Sequence, residues 1–78
     1  MAIVRKLELR KLEKDSRHTD VTCTYSIVEE PNGAKVLQID TYGSEQRRFP
    51  GKVSQSIRFS QEGLKQLRKI LREHFGEE

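Results

Sequence analysis

The sequence predicts one α+β domain in which a four-stranded antiparallel meander sheet precedes a single C-terminal helix. Two observations predict this fold class. Several segments alternate apolar with polar residues, and the last segment repeats apolar residues every three or four positions. The first pattern is typical of half-buried strands and the second of an amphipathic helix. A run of strands followed by a helix indicates an α+β layer, and 78 residues are enough for one domain only.

The first strand is predicted over residues 3–14. Leu7 and Leu9 alternate with charged residues, as in a strand, but together with Ile3 they also fit a helical stripe. Periodicity alone leaves both alternatives open. We favour a strand because the polar turn at residues 15–20 leads into a clear strand.

The next three strands are predicted over residues 20–29, 35–42 and 53–59. The first of them is rich in β-branched and aromatic residues, which favour strands. Pro-Asn-Gly at 31–33 predicts a tight turn, because proline presets φ and Asn-Gly accepts positive φ. Residues 43–52 are expected to form a loop.

The helix is predicted over residues 61–75. Ser60 is a suitable N-cap, Glu62 complements the helix dipole, and Gly76 is a plausible stop. A chain with only 33% hydrophobic residues has a small core, which association with a second copy would enlarge. We therefore expect a homodimer with the apolar stripe of the helix at its interface. The stripe consists of Leu64, Leu67, Ile70, Leu71, His74 and Phe75.

Alternation sorts the strand residues onto two faces. The apolar sheet face is expected to pack beneath the helix. Its members are Leu7, Leu9, Val21, Cys23, Tyr25, Ile27, Leu37, Ile39, Ile57 and Phe59. The polar sheet face carries hydroxyls, amides, cations and one ring. Its members are Lys6, Arg10, Thr22, Thr24, Ser26, Gln38, Asp40, Tyr42, Ser54, Ser56 and Arg58.

Positive charge is concentrated in one part of the sequence. The whole chain carries a formal charge of +3, and residues 61–78 balance to zero. Residues 47–60 hold no acidic residue and four basic ones, namely Arg47, Arg48, Lys52 and Arg58. Such a local patch points to a polyanionic partner better than the total charge does. The plainer alternative is a solvated loop.

The sequence predicts no enzyme, no cofactor, no metal and no small-molecule substrate. His18, Asp20 and Cys23 are close in sequence, but structural zinc needs four ligands at characteristic spacing. Cys23 is expected to pack as a small hydrophobe. A lone cysteine suits a reducing compartment, and no apolar run approaches the length of a bilayer span. We expect a cytoplasmic protein without membrane contact, nucleoid-associated if bacterial.

Three stretches resemble the C-terminal domain of the transcriptional coactivator positive cofactor four and its bacterial relatives. They are residues 32–40, the Pro-Gly-Lys at 50–52, and residues 56–62 leading into the helix. The resemblance spans roughly residues 20–75. The resemblance implies a homodimeric ββββα fold whose sheets bind single-stranded DNA. The Whirly proteins are similar to this family in architecture. By position the resemblance assigns Lys35 and Lys52 to the ligand, with Tyr42 near the aromatic residue of the family.

These observations predict a homodimer that binds single-stranded DNA, or RNA, as a transcription or DNA-maintenance cofactor. A flat sheet with a ring suits unpaired bases. The residues expected to contact phosphates are Lys35, Arg47, Arg48, Lys52 and Arg58, with Lys6 and Arg10 as extras, and Tyr42 is the expected stacking residue. The alternative is a protein-interaction or regulatory module with no direct nucleic-acid contact.

Overall fold

The computed structural model describes residues 2–43 and 52–76, which form a small α+β fold. Its elements are β1 (Ala2–Val4), β2 (Cys23–Glu29), β3 (Lys35–Tyr42), β4 (Val53–Phe59) and α1 (Gln61–Phe75). A four-stranded sheet followed by one C-terminal helix is therefore confirmed. The elements β3, β4 and α1 occupy the residues that the local patterns predict.

The sheet is mixed, and the prediction of a wholly antiparallel meander is wrong. Its strand order is β1-β4-β3-β2. The pairs β2–β3 and β3–β4 are antiparallel, whereas β1 pairs with β4 in parallel. The first strand thus joins the free edge of β4, and residues 5–22 cross to the opposite edge of the sheet. A connection of this length is what two strands running in the same direction require.

The predicted first strand over residues 3–14 is also wrong in extent, because β1 ends at Val4. Val4 pairs with Phe59, the last residue of β4, so the chain beyond Val4 has no strand beside it. It runs along the helix instead. The backbone N–H of Leu7 donates to Gln66 Oε1 at 2.7 Å, and Gln66 Nε2 donates to the carbonyl of Arg5 at 3.2 Å.

The junction between β4 and the helix is fixed by Ser60 and Gly63. Ser60 Oγ accepts a hydrogen bond from the Gly63 N–H at 3.1 Å, as expected of an N-cap. The Ser60 N–H donates to the carbonyl of Val4 at 3.1 Å. A Cβ at Gly63 would collide with that same carbonyl oxygen. Glycine is therefore required where β1 passes the helix, and Gly76, with φ of 63°, ends the helix in the left-handed conformation.

The best-buried hydrophobic side chain lies on the polar sheet face. Val36 is 3% exposed. It pairs with Val28 and, by alternation, shares its face with Gln38 and Asp40. The two valines lie at the end of the sheet where the helix begins.

The apolar sheet face is exposed along the edge strand β2 and half-buried on β3 and β4, and the prediction that the helix of the same chain covers the whole face is wrong. Tyr25 is 75% and Ile27 is 62% exposed. Cys23 is exposed on the same face, so it does not pack as a core residue. Leu9, a further predicted member, is 98% exposed in the segment outside the sheet. The helix is tied to the sheet at its first turn, by Ser60 and Gly63 against Val4.

The dimensions of the molecule agree with this arrangement. The radius of gyration is 14.9 Å, whereas a compact chain of this length has about 11.5 Å. No large side chain in the described ranges is fully buried. The fold thus leaves much of its apolar surface without cover within one copy.

Candidate nucleic-acid interface

Strand register places the polar side chains of three neighbouring strands in rows. Gln38 of β3 pairs with Ser26 of β2 and with Arg58 of β4. In the next row, Asp40 pairs with Thr24 and Ser56. Directly paired residues project on the same side of a sheet. The strands β2, β3 and β4 therefore build the polar sheet face as the alternation predicts.

A chain of hydrogen bonds links the three most polar groups of this face. Arg58 Nε donates to Gln38 Oε1 at 2.8 Å. The Gln38 amide then donates to both carboxylate oxygens of Asp40, each at 3.1 Å. All three side chains are half-buried. Gln38 therefore orients a cation on one side and a carboxylate on the other.

The Arg58 guanidinium keeps donors for a ligand. Only its Nε is engaged by another described residue, which leaves the two amino groups of the planar fork. Two such donors match the oxygens of a phosphate. Because Gln38 already holds the side chain, less conformational entropy is lost when a phosphate binds.

Asp40 gives the face a second chemical function. Its negative charge repels phosphate, so it disfavours a nucleic-acid backbone directly above it. A carboxylate accepts hydrogen bonds from the exocyclic amino group of a base such as cytosine. The arrangement fits bases above Asp40 and a backbone nearer to Arg58.

Tyr42 lies at the end of β3 with its hydroxyl anchored. The hydroxyl and Thr24 Oγ1 are 2.9 Å apart and share a hydrogen bond. The β3–β4 register shifts between Thr41 and Tyr42, and such irregularities re-aim side chains. The ring is half-buried, and an aromatic ring held in place in this way can stack on a base.

Two of the predicted contact residues therefore come together on one face, Arg58 and Tyr42. Lys35 begins β3 and is exposed. It pairs with Glu29, and alternation puts it on the side of the apolar sheet face. Lys52 is exposed immediately before β4.

The remaining predicted cations lie off the sheet or beyond the described residues. Lys6 forms an exposed ion pair, with its Nζ 3.0 Å from Glu8 Oε2. Arg10 is exposed in the segment that follows β1. Arg47 and Arg48 lie outside the described residues. The structure does not bring Lys6 or Arg10 onto the sheet, because β1 ends at Val4.

Gln38 and Asp40 are site residues that the sequence patterns did not single out as contacts. Both were placed on the polar sheet face, but their link to Arg58 depends on the register of β3 against β4. The signal available in the sequence was the i, i+2 spacing of an amide and a carboxylate on one strand face.

The predicted dimer residues are divided by the fold. Leu64, Leu67 and Ile70 are half-buried within the chain. Leu71 and His74 are exposed, and Phe75 is 72% exposed. The apolar stripe of the helix is therefore partly covered near the sheet and open toward its C-terminal end.

Comparisons of the chain with protein-family models, curated proteins and solved structures found no match. Across residues 2–43 and 52–76, no group of histidine, cysteine or carboxylate side chains is arranged to hold a metal ion. In the same part of the chain, no helix has the length and apolar character needed to cross a bilayer.

Proposed function

We propose that this protein binds single-stranded nucleic acid, with single-stranded DNA as its ligand, through the polar sheet face. The observation that supports this proposal is the hydrogen-bonded chain Arg58–Gln38–Asp40 beside the anchored ring of Tyr42. It combines a phosphate donor, a base-edge acceptor and a stacking surface on neighbouring strands. These are the three kinds of contact that unpaired strands offer.

The shape of the face favours a single strand over a duplex. Bases of an unpaired strand can splay onto a sheet and stack on a ring. Reading a duplex usually requires a helix or ribbon inside the major groove. Lys52, Arg47 and Arg48 remain proposed phosphate contacts, whereas Lys35 lies on the side of the apolar sheet face and is not part of this interface. The proposed setting is transcription or DNA maintenance in the cytoplasm.

The active unit in this proposal is a homodimer. Two apolar surfaces of one copy are uncovered: the apolar sheet face around Tyr25 and Ile27, and the helix end around Leu71 and Phe75. A second copy related by a two-fold axis would cover both at once, because each copy offers the same pair of surfaces. Burying a large apolar side chain contributes about 1.5–3 kcal/mol.

A protein-interaction module is the second candidate, and the exposed Tyr25 and Ile27 are the observation that favours it. Capture experiments in nuclease-treated lysate separate the two functions. A partner held by protein contacts survives nuclease treatment, whereas one bridged by nucleic acid is lost.

A panel of labelled oligonucleotides tests the proposed function. Single-stranded DNA, single-stranded RNA and duplex DNA of one sequence are titrated at 50 mM and 200 mM salt. We expect single strands to bind more tightly than the duplex and to weaken with salt, because phosphate contacts release counterions. Binding to the duplex that equals or exceeds binding to the single strands would contradict the proposal.

A further inference from the structure

The helix carries a second concentration of positive charge. Between Gly63 and Arg72 the sequence has four basic residues and no acidic one. The basic residues are Lys65, Arg68, Lys69 and Arg72, and all four are exposed. The net charge of residues 61–78 is nevertheless zero, because four acidic residues lie on the two sides of this run.

Helical geometry collects these four side chains into one stripe, here called the cationic stripe. At 100° per residue they fall within an arc of about 100°, on the side opposite the apolar stripe. Lys65 and Arg72 are seven residues apart, which is about 10 Å along the axis. The cationic stripe is thus a continuous surface that the apolar contacts of the helix leave open.

The four cations of this stripe have no ion-pair partner in the described part of the chain. None of its four side chains forms an ion pair or hydrogen bond with another described residue. Lys65–Lys69 and Arg68–Arg72 are like-charge pairs at i, i+4 spacing, and each such pair destabilises a helix by about 0.2–0.5 kcal/mol. Glu62 and Glu73 lie at the two ends of the stripe, within i, i+3 and i, i+4 of Lys65 and Lys69, and offset this repulsion there. Between these two glutamates the stripe has four cations and no acid, which is positive charge that a bound polyanion would neutralise.

The exposed segment after β1 differs in this respect. Its cations alternate with acids, as Lys14 lies between Glu13 and Asp15. The Lys6–Glu8 ion pair shows such compensation directly. Residues 5–22 hold six basic and four acidic residues, whereas residues 63–72 hold four basic residues and no acidic one. Of the two regions, only the helix presents a run of one sign.

We propose that the cationic stripe binds the phosphate backbone of the same single strand after it leaves the sheet. This inference rests on the proposed function of the polar sheet face. The helix begins two residues after Phe59, so the stripe follows closely on the strand that carries Arg58. Its length of about 10 Å is enough to contact about two or three consecutive phosphates of the strand.

A lipid surface fits the stripe less well. A helix that lies in a membrane interface buries its apolar side in the bilayer. Here Leu64, Leu67 and Ile70 are already half-buried within the chain. The available surface is the cationic one, and a regular line of phosphates is its natural complement.

Two matched triple variants test the inference. The helix variant is Lys65→Gln, Lys69→Gln, Arg72→Gln, and the control is Lys11→Gln, Lys14→Gln, Arg17→Gln. Each removes two lysines and one arginine from exposed positions, so both reach the same net charge. Glutamine keeps a helix propensity close to that of lysine and arginine, and circular dichroism checks the fold.

The readout is the salt dependence of binding to a labelled 30-nucleotide oligo-dT. Three lost phosphate contacts lower the slope of log affinity against log salt by about 2 for a single strand. Raising salt from 50 to 200 mM should therefore weaken the wild type about 15-fold more than the helix variant. The control variant should keep the wild-type slope.

The outcomes separate this inference from the function on which it rests. If the wild type binds no single strand, both fail. If the wild type binds and the two triple variants show equal slopes, the cationic stripe is overturned while the sheet interface stands. A loss confined to duplex DNA, or to vesicles with anionic lipids, would also overturn it.

Discussion

Arg58 Nε donates to Gln38 Oε1 at 2.8 Å across the antiparallel pair β3–β4. This hydrogen bond turns two side chains of adjacent strands into one unit with Asp40. It also defines how Arg58 can act, since the side chain is held before any ligand arrives. An oriented guanidinium contributes to binding through its geometry as well as its charge. A substitution that keeps the charge but changes the geometry can measure the first contribution alone.

Arg58→Lys tests this difference. Lysine keeps the positive charge but has neither the Nε donor nor the planar fork. We expect binding to single-stranded DNA to weaken about fivefold, which corresponds to about 1 kcal/mol for one lost hydrogen bond. The salt slope should stay unchanged because the charge is kept. The control is Arg17→Lys at an exposed position, and equal effects of the two substitutions would contradict the account.

The ring and the hydroxyl of Tyr42 have separate expected roles, in base stacking and in the hydrogen bond to Thr24. Tyr42→Phe keeps the ring and removes the hydrogen bond to Thr24, so we expect near wild-type affinity and a loss of up to about 1 kcal/mol in the free energy of unfolding. Tyr42→Leu removes the ring and should cost about 1–3 kcal/mol in binding. Fluorescence titration and urea unfolding measure the two quantities. The stacking role is wrong if Leu and Phe bind DNA equally well.

Gly63→Ala should destabilise the protein although it lies in a helix. Alanine at an open helical position is better than glycine by about 1 kcal/mol. At position 63 the new Cβ would collide with the Val4 carbonyl oxygen, and such overpacking costs about 1–3 kcal/mol. Urea unfolding measures the change, with Lys65→Ala at an exposed position of the same helix as the control. A stabilised Gly63→Ala variant would show that β1 does not pass the helix at this distance.

The proposed dimer predicts opposite outcomes for two neighbouring residues of β2. Ile27→Asp places a charge on the apolar sheet face, and we expect sedimentation to shift from a dimer to a monomer of 9.1 kDa. Ser26→Asp places the same charge on the polar sheet face and should leave the dimer intact. Since Ile27 is 62% exposed in one copy, its substitution should change the folding of that copy little. A wild-type protein that sediments as a monomer at micromolar concentration would contradict the dimer.

Local patterns in the sequence were enough to predict β3, β4 and α1. Their signals are short-range: alternation in the strands, a capping serine at 60, and a glycine at 76 that takes the left-handed conformation. The path of residues 5–22 was not predictable in this way. Leu7 and Leu9 alternate as strand residues do, but β4 ends at Phe59 and leaves them no strand to pair with.

The sequence predicts which residues share the candidate site, but not which of them are joined by hydrogen bonds. Alternation places Gln38, Asp40 and Arg58 on one face, and the register then decides that Gln38 bridges the other two. The relation of the helix to the sheet is set by Ser60 and Gly63 against Val4, a contact between distant parts of the chain. No local pattern reveals that this junction leaves the apolar sheet face exposed along β2.

Side-chain NMR signals test whether the polar sheet face is the surface that binds the single strand. The amide group of Gln38 and the Nε–H of Arg58 report from the polar sheet face, and the amide group of Gln55 reports from the opposite face, since Gln55 pairs with Thr41. On titration with oligo-dT, we predict that the Gln38 and Arg58 signals shift in proportion to saturation while the Gln55 signal stays in place. Saturated binding that moves Gln55 and leaves Gln38 and Arg58 unchanged would contradict the claim.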